Sequence, residues 1–376
     1  MPAVLLALMG LDIGGAETHV VVLARHLKEM GYKVVVASNG GRYEEEIVRY
    51  GVRHYKVPLH RPNLLCIWRS VWLVRQIVAR EKIDLIHAHA RIPAFVADVM
   101  GRPACVRFIT TAHGKFTARG ILKYVSRWGE KTIAVSQDIK DYLIESFRVK
   151  EENIVVIPNG IDVEDFNPHL PVEGVAAELG GGEGRAVIAL VSRLDSELAR
   201  VATNLIEACR QVQKDFADLR LVIVGDGDGM EEVAERAKEL NAAAGDELVR
   251  LVGARTDINR IMAASDLVVG VSRVALEAMA CARNVLLAGS QGFGGLITRD
   301  RLGLFRDDNF TGRRFKEKAT VENLTRSLRD FLILPKDRME EEGRRLRAFI
   351  VDEYSSLRMA QETVTVYQQV LAKEKG

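Results

Sequence analysis

The sequence predicts an α/β protein with two Rossmann-like parallel-sheet domains facing a central cleft. Three observations lead there: short apolar runs alternate with helical patterns, the alternation stops once near mid-chain, and it then resumes. A chain of 376 residues also exceeds the size at which a single core stops growing. We expect domains at 1–165 and 186–355, a linker at 166–185, and a final helix at 356–376 that could pack back on the first domain.

The first half opens with a strand at 4–9, a glycine turn and an amphipathic helix at about 16–30. Short apolar runs separated by helical stretches predict the other strands, at 34–37, 84–87, 106–110, 132–135 and 154–157. Continuous apolar runs are typical of strands covered on both faces, as in parallel sheets.

The linker prediction comes from a change in composition. Pro168, Pro171 and the run Gly180-Gly181-Gly182 interrupt the pattern. The alternation resumes with predicted strands at 186–191, 219–224, 249–252, 267–269 and 284–288. In such sheets ligands bind at the carboxyl ends of the strands.

Composition excludes several classes of protein. A net charge of +2 gives no global reason to expect a nucleic-acid partner. The four cysteines form no CxxC pair, which is typical of buried thiols in a reducing compartment. The N-terminus is apolar without a preceding positive region, and no apolar run reaches the ~20 residues of a membrane span. We therefore expect a cytoplasmic protein.

Gly14 and Gly15 lie between the first strand and the first helix. Glycines there let a phosphate approach backbone N–H groups at the positive end of the helix dipole. The alternative is a tight turn in which Glu17 complements the helix N-terminus. The spacing alone does not decide between the two.

All eight histidines precede the second strand-helix series. His87 and His89 end one predicted strand and His113 follows another, so the crevice at the sheet edge is the expected place for them. We interpret His87 as a hydrogen-bonded core residue and His113 as a functional one. A metal site from these three is not expected, because no carboxylate or cysteine accompanies them at ligand spacing.

Eight strings occur in a fixed order over nearly the whole chain: GGAETHV, DLIHAHA, TAHGK, IAVSQ, IPNGID, SRLD followed by NLIEA, VIVGDGD and ALEAMAC. This ordered set resembles the large retaining glycosyltransferase family of the GT-B fold, of the group 1 or family-four type. That family includes mannosyl-, glucosyl- and N-acetylhexosaminyl-transferases of lipids and polysaccharides. The resemblance implies a GT-B fold and a nucleotide-sugar donor.

The resemblance also implies roles for individual positions. His113 would contact the transferred sugar, Arg193 the donor diphosphate and Glu277 the ribose hydroxyls, and the residue types suit these ligands. His113 and Arg193 are the predicted catalytic residues. The other predicted donor-side residues are Gly14, Gly15, Arg200, Gly225, Arg273 and Gly294, and the acceptor-side residues are Glu17, His89 and Ser136.

Three departures from the family pattern affect the donor side. Counting eight back from Glu277, the first glutamate of the usual pair is Val269, and Arg273 stands in the turn, where it could address phosphate or sugar or be solvated. The usual lysine falls near Leu198, unless a longer loop makes Arg200 the second phosphate cation instead of an exposed helix-start arginine. The usual glycine after Cys281 is replaced by alanine, and the cluster 292–295 could cradle a diphosphate in its place or be an ordinary turn.

The segment 115–131 is basic, with a lysine or arginine at every fourth residue: Lys115, Arg119, Lys123, Arg127 and Lys131. Apolar and aromatic residues fill most of the remainder. Such a helix can lie peripherally on an anionic membrane, and relatives that use lipid acceptors favour that interpretation. The alternative is an amphipathic helix packed on the sheet with a solvated face.

We predict retaining transfer of a hexose-type sugar from a nucleoside diphosphate to a hydroxyl of a lipid, glycan or polysaccharide acceptor. No cofactor and no metal are expected, because fixed cations can hold the leaving diphosphate. Two alternatives stay open. With Val269 at the glutamate position, the chain could be a weakly active or inactive relative that binds nucleotide or glycan as a partner, or it could be a nucleotide-sugar epimerase or hydrolase.

Overall fold

A computed structural model describes residues 2–12, 14–104, 106–118, 120, 123, 125–182, 184–244 and 247–372. The chain forms two compact units. Unit 1 is Met1–Gly160 together with Ser356–Gly376, and unit 2 is Ile161–Ser355. Within the described ranges, every helix is too short or too polar to cross a bilayer.

Unit 1 alternates strands with helices. Its strands are β1 (Ala3–Ala7), β2 (Lys33–Ser38), β3 (Arg53–Lys56), β4 (Leu85–Ala88), β5 (Arg107–Ala112), β6 (Thr132–Ala134) and β7 (Ile154–Val156). Its helices are α1 (Gly15–Glu29), α2 (Glu44–Arg49), α3 (Leu64–Glu81), α4 (Arg91–Ala104), α5 (Gln137–Phe147) and the C-terminal helix, α14 in chain order (Ser356–Ala372).

In the described part of unit 1, seven strands form one parallel sheet in the order β3-β2-β1-β4-β5-β6-β7. β1 lies between β2 and β4, with Leu5 opposite Val35 and Ile86. The strand order reverses at β1, and such a reversal opens a crevice beyond the carboxyl ends of β1 and β4.

Helices cover both faces of this sheet because both faces are apolar. One core cluster joins Leu5 and Val35 to Ile77 of α3. The other joins Leu6 to Leu23 of α1 and Tyr367 of α14. Tyr367 is fully buried, so the C-terminal helix is part of the unit 1 core.

Unit 2 repeats the pattern. Its strands are β8 (Ala186–Val191), β9 (Leu219–Val224), β10 (Val249–Gly253), β11 (Leu267–Gly270), β12 (Asn284–Ala288) and β13 (Phe293–Ile297). Its helices are α6 (Glu173–Glu178), α7 (Ser196–Gln213), α8 (Met230–Ala244), α9 (Ile258–Ala263), α10 (Arg273–Ala280), α11 (Gly303–Arg306), α12 (Val321–Leu332) and α13 (Lys336–Tyr354).

The described strands of unit 2 form one sheet in the order β10-β9-β8-β11-β12-β13. All neighbours are parallel except β13, which is antiparallel to β12. β8 lies between β9 and β11, with Leu190 opposite Ile223 and Val269. The order therefore reverses at β8, as it does at β1 in unit 1, and creates a second crevice of the same kind.

The structure corrects two sequence predictions of the fold. The boundary lies between Gly160 and Ile161, and 166–185 belongs to unit 2 because Val175 and Leu179 pack into its core. Two strands were not predicted. β3 reads Arg-His-Tyr-Lys and lacks an apolar run, and β13 reads Phe-Gly-Gly-Leu-Ile, which resembles a turn. The predicted strands agree with the observed ones within two residues at each end.

Candidate functional site

The first group of predicted site residues lies at the carboxyl edge of the unit 1 sheet. Gly14 precedes α1, and a Cβ atom on it would lie 2.3 Å from Oε2 of Glu17. The Glu17 carboxylate therefore folds back over the glycine turn, next to the positive end of the helix. Gly15 is exposed, with open space where a Cβ atom would be. A carboxylate here repels phosphate, so the turn suits a hydroxyl-bearing ligand better.

His89 and His113 meet at the same edge, because each directly follows a strand. The N–H of His89 donates to the carbonyl of Ala7 (2.9 Å), which continues the ladder between β1 and β4. Nδ1 of His89 lies 3.1 Å from Nε2 of His113, and the rings stack with centroids 5.4 Å apart. One ring therefore donates a hydrogen bond to the other.

A third histidine, His19, joins them, although sequence patterns do not mark it as a site residue. It lies in α1, with its ring centroid 4.8 Å from that of His113. Nδ1 of His19 is 3.1 Å from Oδ1 of Asn159, so this nitrogen carries the proton and donates it. His19 lies in the string GGAETHV and Asn159 in the string IPNGID, but only the folded sheet brings these two segments together.

His89 and His113 are neutral at pH 7. Burial lowers the pKa of His113 to about 4. Burial also lowers the pKa of His89 well below its usual range, and the neighbouring histidines add to this effect. A neutral imidazole carries one donor and one acceptor. The edge is therefore suited to binding hydroxyl groups through uncharged hydrogen bonds.

The same three side chains are candidate metal ligands. One nitrogen from each of His19, His89 and His113 lies within 4.8 Å of the other two. Neutral imidazole is the form that coordinates Zn²⁺. Binding would require the hydrogen bond between His89 and His113 to open, since coordination uses the same lone pairs. His87, which the sequence groups with His89 and His113, is not part of this cluster, and His19 lies there instead.

His87 and Ser136 have partners within unit 1. His87 is 1 % exposed, with Nδ1 2.8 Å from the Tyr367 hydroxyl and Nε2 2.7 Å from that of Thr111. This confirms the interpretation of His87 as a hydrogen-bonded core residue. The hydroxyl of Ser136, at the start of α5, donates to Oδ1 of Asp138 at 2.6 Å. Ser136 lies at the same carboxyl edge, just after β6.

The basic segment 115–131 is not a continuous helix, which corrects the prediction. Residues 115–118 and 126–128 are irregular, and Arg119, Ile121, Leu122 and Tyr124 lie outside the described residues. Nε of Arg127 donates to Asp98 at 2.7 Å, and Nζ of Lys131 donates to the Glu152 carbonyl at 2.5 Å. Trp128 packs on two phenylalanine rings, Phe116 and Phe147. These described side chains serve the fold of unit 1.

The second group of predicted site residues lies at the carboxyl edge of the unit 2 sheet. Arg193 is exposed in the loop between β8 and α7. The N–H of Ser192 donates to the Val224 carbonyl at 3.1 Å, and the N–H of Leu194 donates to the Asp226 carbonyl at 3.0 Å. These bonds extend the β8–β9 ladder on both sides of Arg193. The backbone that carries this cation is therefore fixed.

Gly225 makes this arrangement possible. Its φ of +146° lies in the region that favours glycine. A Cβ atom on it would lie 1.8 Å from the Ser192 carbonyl oxygen. Gly225 thus has a structural role, which is to let the loop after β9 approach the loop that bears Arg193.

Arg200 does not lie in a loop. Helix α7 begins at Ser196, with Asp195 accepting a hydrogen bond from the N–H of Leu198 at 3.0 Å. Arg200 is exposed on the second turn of the helix. The hypothesis of a longer loop is therefore wrong, and a phosphate-binding role for Arg200 stays a prediction.

Glu277 and Arg273 form an ion pair on α10. Nε of Arg273 lies 2.6 Å from Oε1 of Glu277, and Glu277 is 8 % exposed. Burial raises the pKa of Glu277, and the guanidinium opposes that shift. The alternative of a simply solvated Arg273 is therefore wrong. Its guanidinium holds the carboxylate in place and retains further N–H donors.

Val269, which stands at the position of the family's first glutamate, lies in a strand, as the sequence predicts. Val269 is a buried residue of β11, and Val271 and Ser272 alone separate β11 from α10. Counting eight residues back from Glu277 therefore leads into the strand. The loop in this place has two residues, with Ser272 at a φ of +53° and its N–H donating to the Phe310 carbonyl at 2.6 Å.

Gly294 lies in strand β13 and not in a turn, which corrects the prediction for 292–295. A Cβ atom on it would lie 2.7 Å from the Phe305 ring and 2.8 Å from the Leu287 side chain. Close packing against these two core residues explains the glycine. A role in donor binding is not needed to account for it.

Comparison with known families agrees with the two-unit architecture. Residues 13–165 match the model of Glycosyltransferase Family 4, and residues 185–323 match the model of the group 1 glycosyl transferases. The first match lies mostly in unit 1, and the second lies within unit 2.

Three curated relatives illustrate the range of the family. The chain is 26 % identical over 245 residues to the GPI3 subunit of the Saccharomyces cerevisiae (strain RM11-1a) phosphatidylinositol N-acetylglucosaminyltransferase, covering 57 % of the chain and 50 % of that relative. It is 25 % identical to the alpha-maltose-1-phosphate synthase of Mycolicibacterium smegmatis over 96 % of each. It is 28 % identical to the UDP-Gal:alpha-D-GlcNAc-diphosphoundecaprenol alpha-1,3-galactosyltransferase of Escherichia coli, over 58 % of the chain and 60 % of that enzyme. The chain thus aligns with only about half the length of the first of these relatives.

Solved structures share the fold. A glycosyltransferase from Rickettsia africae superimposes with a TM-score of 0.81 at 21 % identity, covering 99 % of this chain and 100 % of that one. HepE of Anabaena, solved with UDP and glucose, superimposes with a TM-score of 0.75 at 19 % identity, covering 98 % and 100 %. With both units matched to family models and this fold shared along its length, the chain belongs to the group 1 glycosyltransferases of the GT-B fold.

Proposed function

We propose that this glycosyltransferase moves a hexose-type sugar, with retention, from a nucleoside diphosphate to a hydroxyl of a lipid or glycan acceptor. The observation that carries the proposal is the carboxyl edge of unit 2. There a fixed loop presents Arg193, and α10 presents the Arg273–Glu277 pair. A cation for a diphosphate and a carboxylate for ribose hydroxyls are the two groups that a nucleoside-diphosphate donor requires.

The leaving diphosphate can itself accept the proton of the acceptor hydroxyl. Arg193 stabilises its charge as the bond to the sugar breaks, and such stabilisation is a large part of the rate enhancement in many enzymes. No enzyme nucleophile or metal is then required. Absence of a metal and of a cofactor, the catalytic role of His113 and a cytoplasmic location are part of this proposal.

The names of relatives support the substrate classes. The yeast relative is named for transfer of N-acetylglucosamine to phosphatidylinositol, and the Escherichia coli relative for transfer of galactose from UDP-Gal to a diphosphoundecaprenol-linked sugar. HepE was solved with UDP and glucose. A uridine nucleotide and a lipid-linked acceptor are therefore the first substrates to test. Contact of segment 115–131 with a membrane stays a prediction.

A second candidate function rests on the short loop after β11. Only two residues separate the strand from α10, and Glu277 is already paired with Arg273. A site built in this way could hold a nucleotide without orienting the sugar. The chain would then act as a nucleotide-binding partner without transferase activity.

Thermal unfolding with UDP, GDP, ADP, CDP and TDP and their sugar conjugates, without added metal, tests the donor site. A ligand at ~100 times its dissociation constant adds about 2.7 kcal/mol and shifts the midpoint by several degrees. We expect a shift with one diphosphate that is lost in Arg193→Ala and Glu277→Gln. The control Lys214→Ala removes a cation at the far end of α7 and should keep the shift.

Turnover separates the candidates. Transfer to a lipid or glycan acceptor supports the proposal, whereas a nucleotide shift with no product supports the binding partner. Sugar release into water without an acceptor would indicate a hydrolase, and interconversion of donors an epimerase. No shift with any diphosphate in folded protein would overturn the donor site itself.

A further inference from the structure

Helix α3 (Leu64–Glu81) exposes four large apolar side chains near its start. Leu64, Leu65, Trp68 and Trp72 are 75 %, 84 %, 69 % and 59 % exposed, and we call them the α3 patch. At about 100° per residue they fall within an arc of roughly 100° on the helix. Single exposed apolar residues are common, but a contiguous group of this kind marks an interaction surface.

The helix that carries the patch is held firmly in unit 1. Asn63 caps it by accepting a hydrogen bond from the N–H of Cys66 at 2.7 Å. On the opposite face, Val74, Ile77 and Val78 are buried in the core cluster that covers the sheet. The exposed arc therefore does not belong to the core of unit 1. It is the outer face of a helix whose inner face is already buried against the sheet.

The stretch of chain that carries the patch has charges of one sign. From 47 to 80 the chain contains seven lysines and arginines and no aspartate or glutamate. Arg61, Arg69 and Arg75 are exposed beside the patch. Tryptophan and leucine flanked by arginine, without acidic residues, are typical of helices that lie in the interface of an anionic bilayer.

The topology places this surface at the carboxyl edge of the unit 1 sheet. α3 follows β3, so the connecting loop leaves the sheet at its carboxyl edge and the helix starts there. Gly15, His89 and His113 lie along the same edge. The patch occupies the first turns of α3, at the end nearest to that edge.

We propose that the α3 patch docks unit 1 on the surface of an anionic membrane. The leucines and tryptophans enter the interface, and Arg61, Arg69 and Arg75 face lipid phosphates. This surface is distinct from segment 115–131, whose contact with a membrane stays a prediction. Docking here would bring lipid headgroups to the edge that carries the neutral histidines. The inference deepens the proposed lipid acceptor, but vesicle binding itself does not depend on transferase activity.

Co-sedimentation of the full chain with vesicles tests the proposal. We expect binding to phosphatidylcholine vesicles that contain phosphatidylglycerol, and weaker binding at high salt. Trp68→Ser with Trp72→Ser should lower the vesicle affinity about tenfold or more. Arg69→Gln with Arg75→Gln should lower it about tenfold on anionic vesicles only. Ile333→Ser with Leu334→Ser, which removes exposed apolar residues of unit 2, should leave it unchanged.

Three results would overturn the proposal: no binding of the wild type to anionic vesicles at low salt, wild-type binding by the tryptophan variant, or a dimer in solution that the tryptophan variant dissociates. The last would mean that a second copy covers the patch. Thermal shifts with nucleotide, measured on the same variants, keep the two proposals separate. A variant that loses vesicle binding and keeps its nucleotide shift is folded, whereas a wild type without any nucleotide shift can still bind vesicles.

Discussion

Unit 1 and unit 2 have sheets that reverse strand order at the same relative position, yet the chemistry at the two reversals differs. In unit 1 the edge carries His89, which is buried, and His113, which is half-buried, and both are neutral. In unit 2 it carries exposed Arg193 and the carboxylate of Glu277. The same backbone frame thus supports an uncharged hydrogen-bonding edge in one unit and a charged edge in the other.

Under the proposed function, the repeated fold divides the work of one reaction between the two edges. A diphosphate needs fixed positive charge, whereas a sugar or acceptor hydroxyl needs donors and acceptors without charge. The sequence distribution follows this division, since His169 alone of the eight histidines lies in unit 2. Substitutions at each edge test whether the two edges differ in chemistry as their residues indicate.

The largest effect is expected from the glycines of the two edges. Gly225→Ala places a Cβ atom against the Ser192 carbonyl at positive φ. We expect the free energy of unfolding to fall by about 3 kcal/mol and nucleotide binding to be lost. Gly15→Ala adds a Cβ atom in open space and should change that free energy by less than about 0.5 kcal/mol. Urea denaturation of both variants measures this, and equal losses would contradict the difference in packing.

The next effect is the pH dependence of unit 1. Because burial lowers the pKa of His87 to about 3 and that of His113 to about 4, the unfolded chain binds protons that the folded one does not. The contribution of these histidines to the free energy of unfolding is therefore fully present above about pH 6.5. It falls towards pH 4, by up to about 1.4 kcal/mol per pH unit for each histidine. All three tryptophans lie in unit 1, so their fluorescence follows its unfolding.

His87→Gln should remove the contribution of one histidine from that slope. His169→Gln, at an exposed position of unit 2, should leave the slope unchanged. A slope that is the same in the wild type and in His87→Gln would argue against a buried neutral His87.

A smaller effect is expected from Arg200 in unit 2. Arg200→Ala should weaken binding of the nucleoside diphosphate about fivefold, as for one exposed charge-assisted contact, and leave nucleoside binding unchanged. Lys214→Ala, at the other end of α7, serves as the matched control. Calorimetric titration with both ligands measures this, and equal weakening of nucleoside and diphosphate would remove Arg200 from the phosphate site.

The smallest effect is expected from a chelator. If unit 1 works through neutral histidines and unit 2 through fixed cations, turnover with and without EDTA should agree within about twofold. Turnover that EDTA abolishes and Zn²⁺ restores would instead assign His19, His89 and His113 as metal ligands.

The sequence predicts most of the fold because buried parallel strands consist of continuous apolar runs, which a sequence shows directly. It fails at β3 and β13, where half-exposed polar residues or glycines replace the run. At the site it identifies residues that follow strands closely, such as His113 and Arg193, because the end of a strand can be recognised where an apolar run stops. It misses the contact between His19 and Asn159, because that contact joins segments that lie far apart in the chain.

The position of helix α14 has a consequence for the order of folding. Tyr367 fills the core of unit 1 and its hydroxyl bonds to His87, so unit 1 is assembled from the two ends of the chain. Unit 2 is encoded between them, and its own ends are joined where the N–H of Ile161 donates to the Tyr354 carbonyl at 2.7 Å. During synthesis the middle of the chain can therefore complete its core first. Unit 1 has to wait, with part of its interior uncovered, until helix α14 leaves the ribosome.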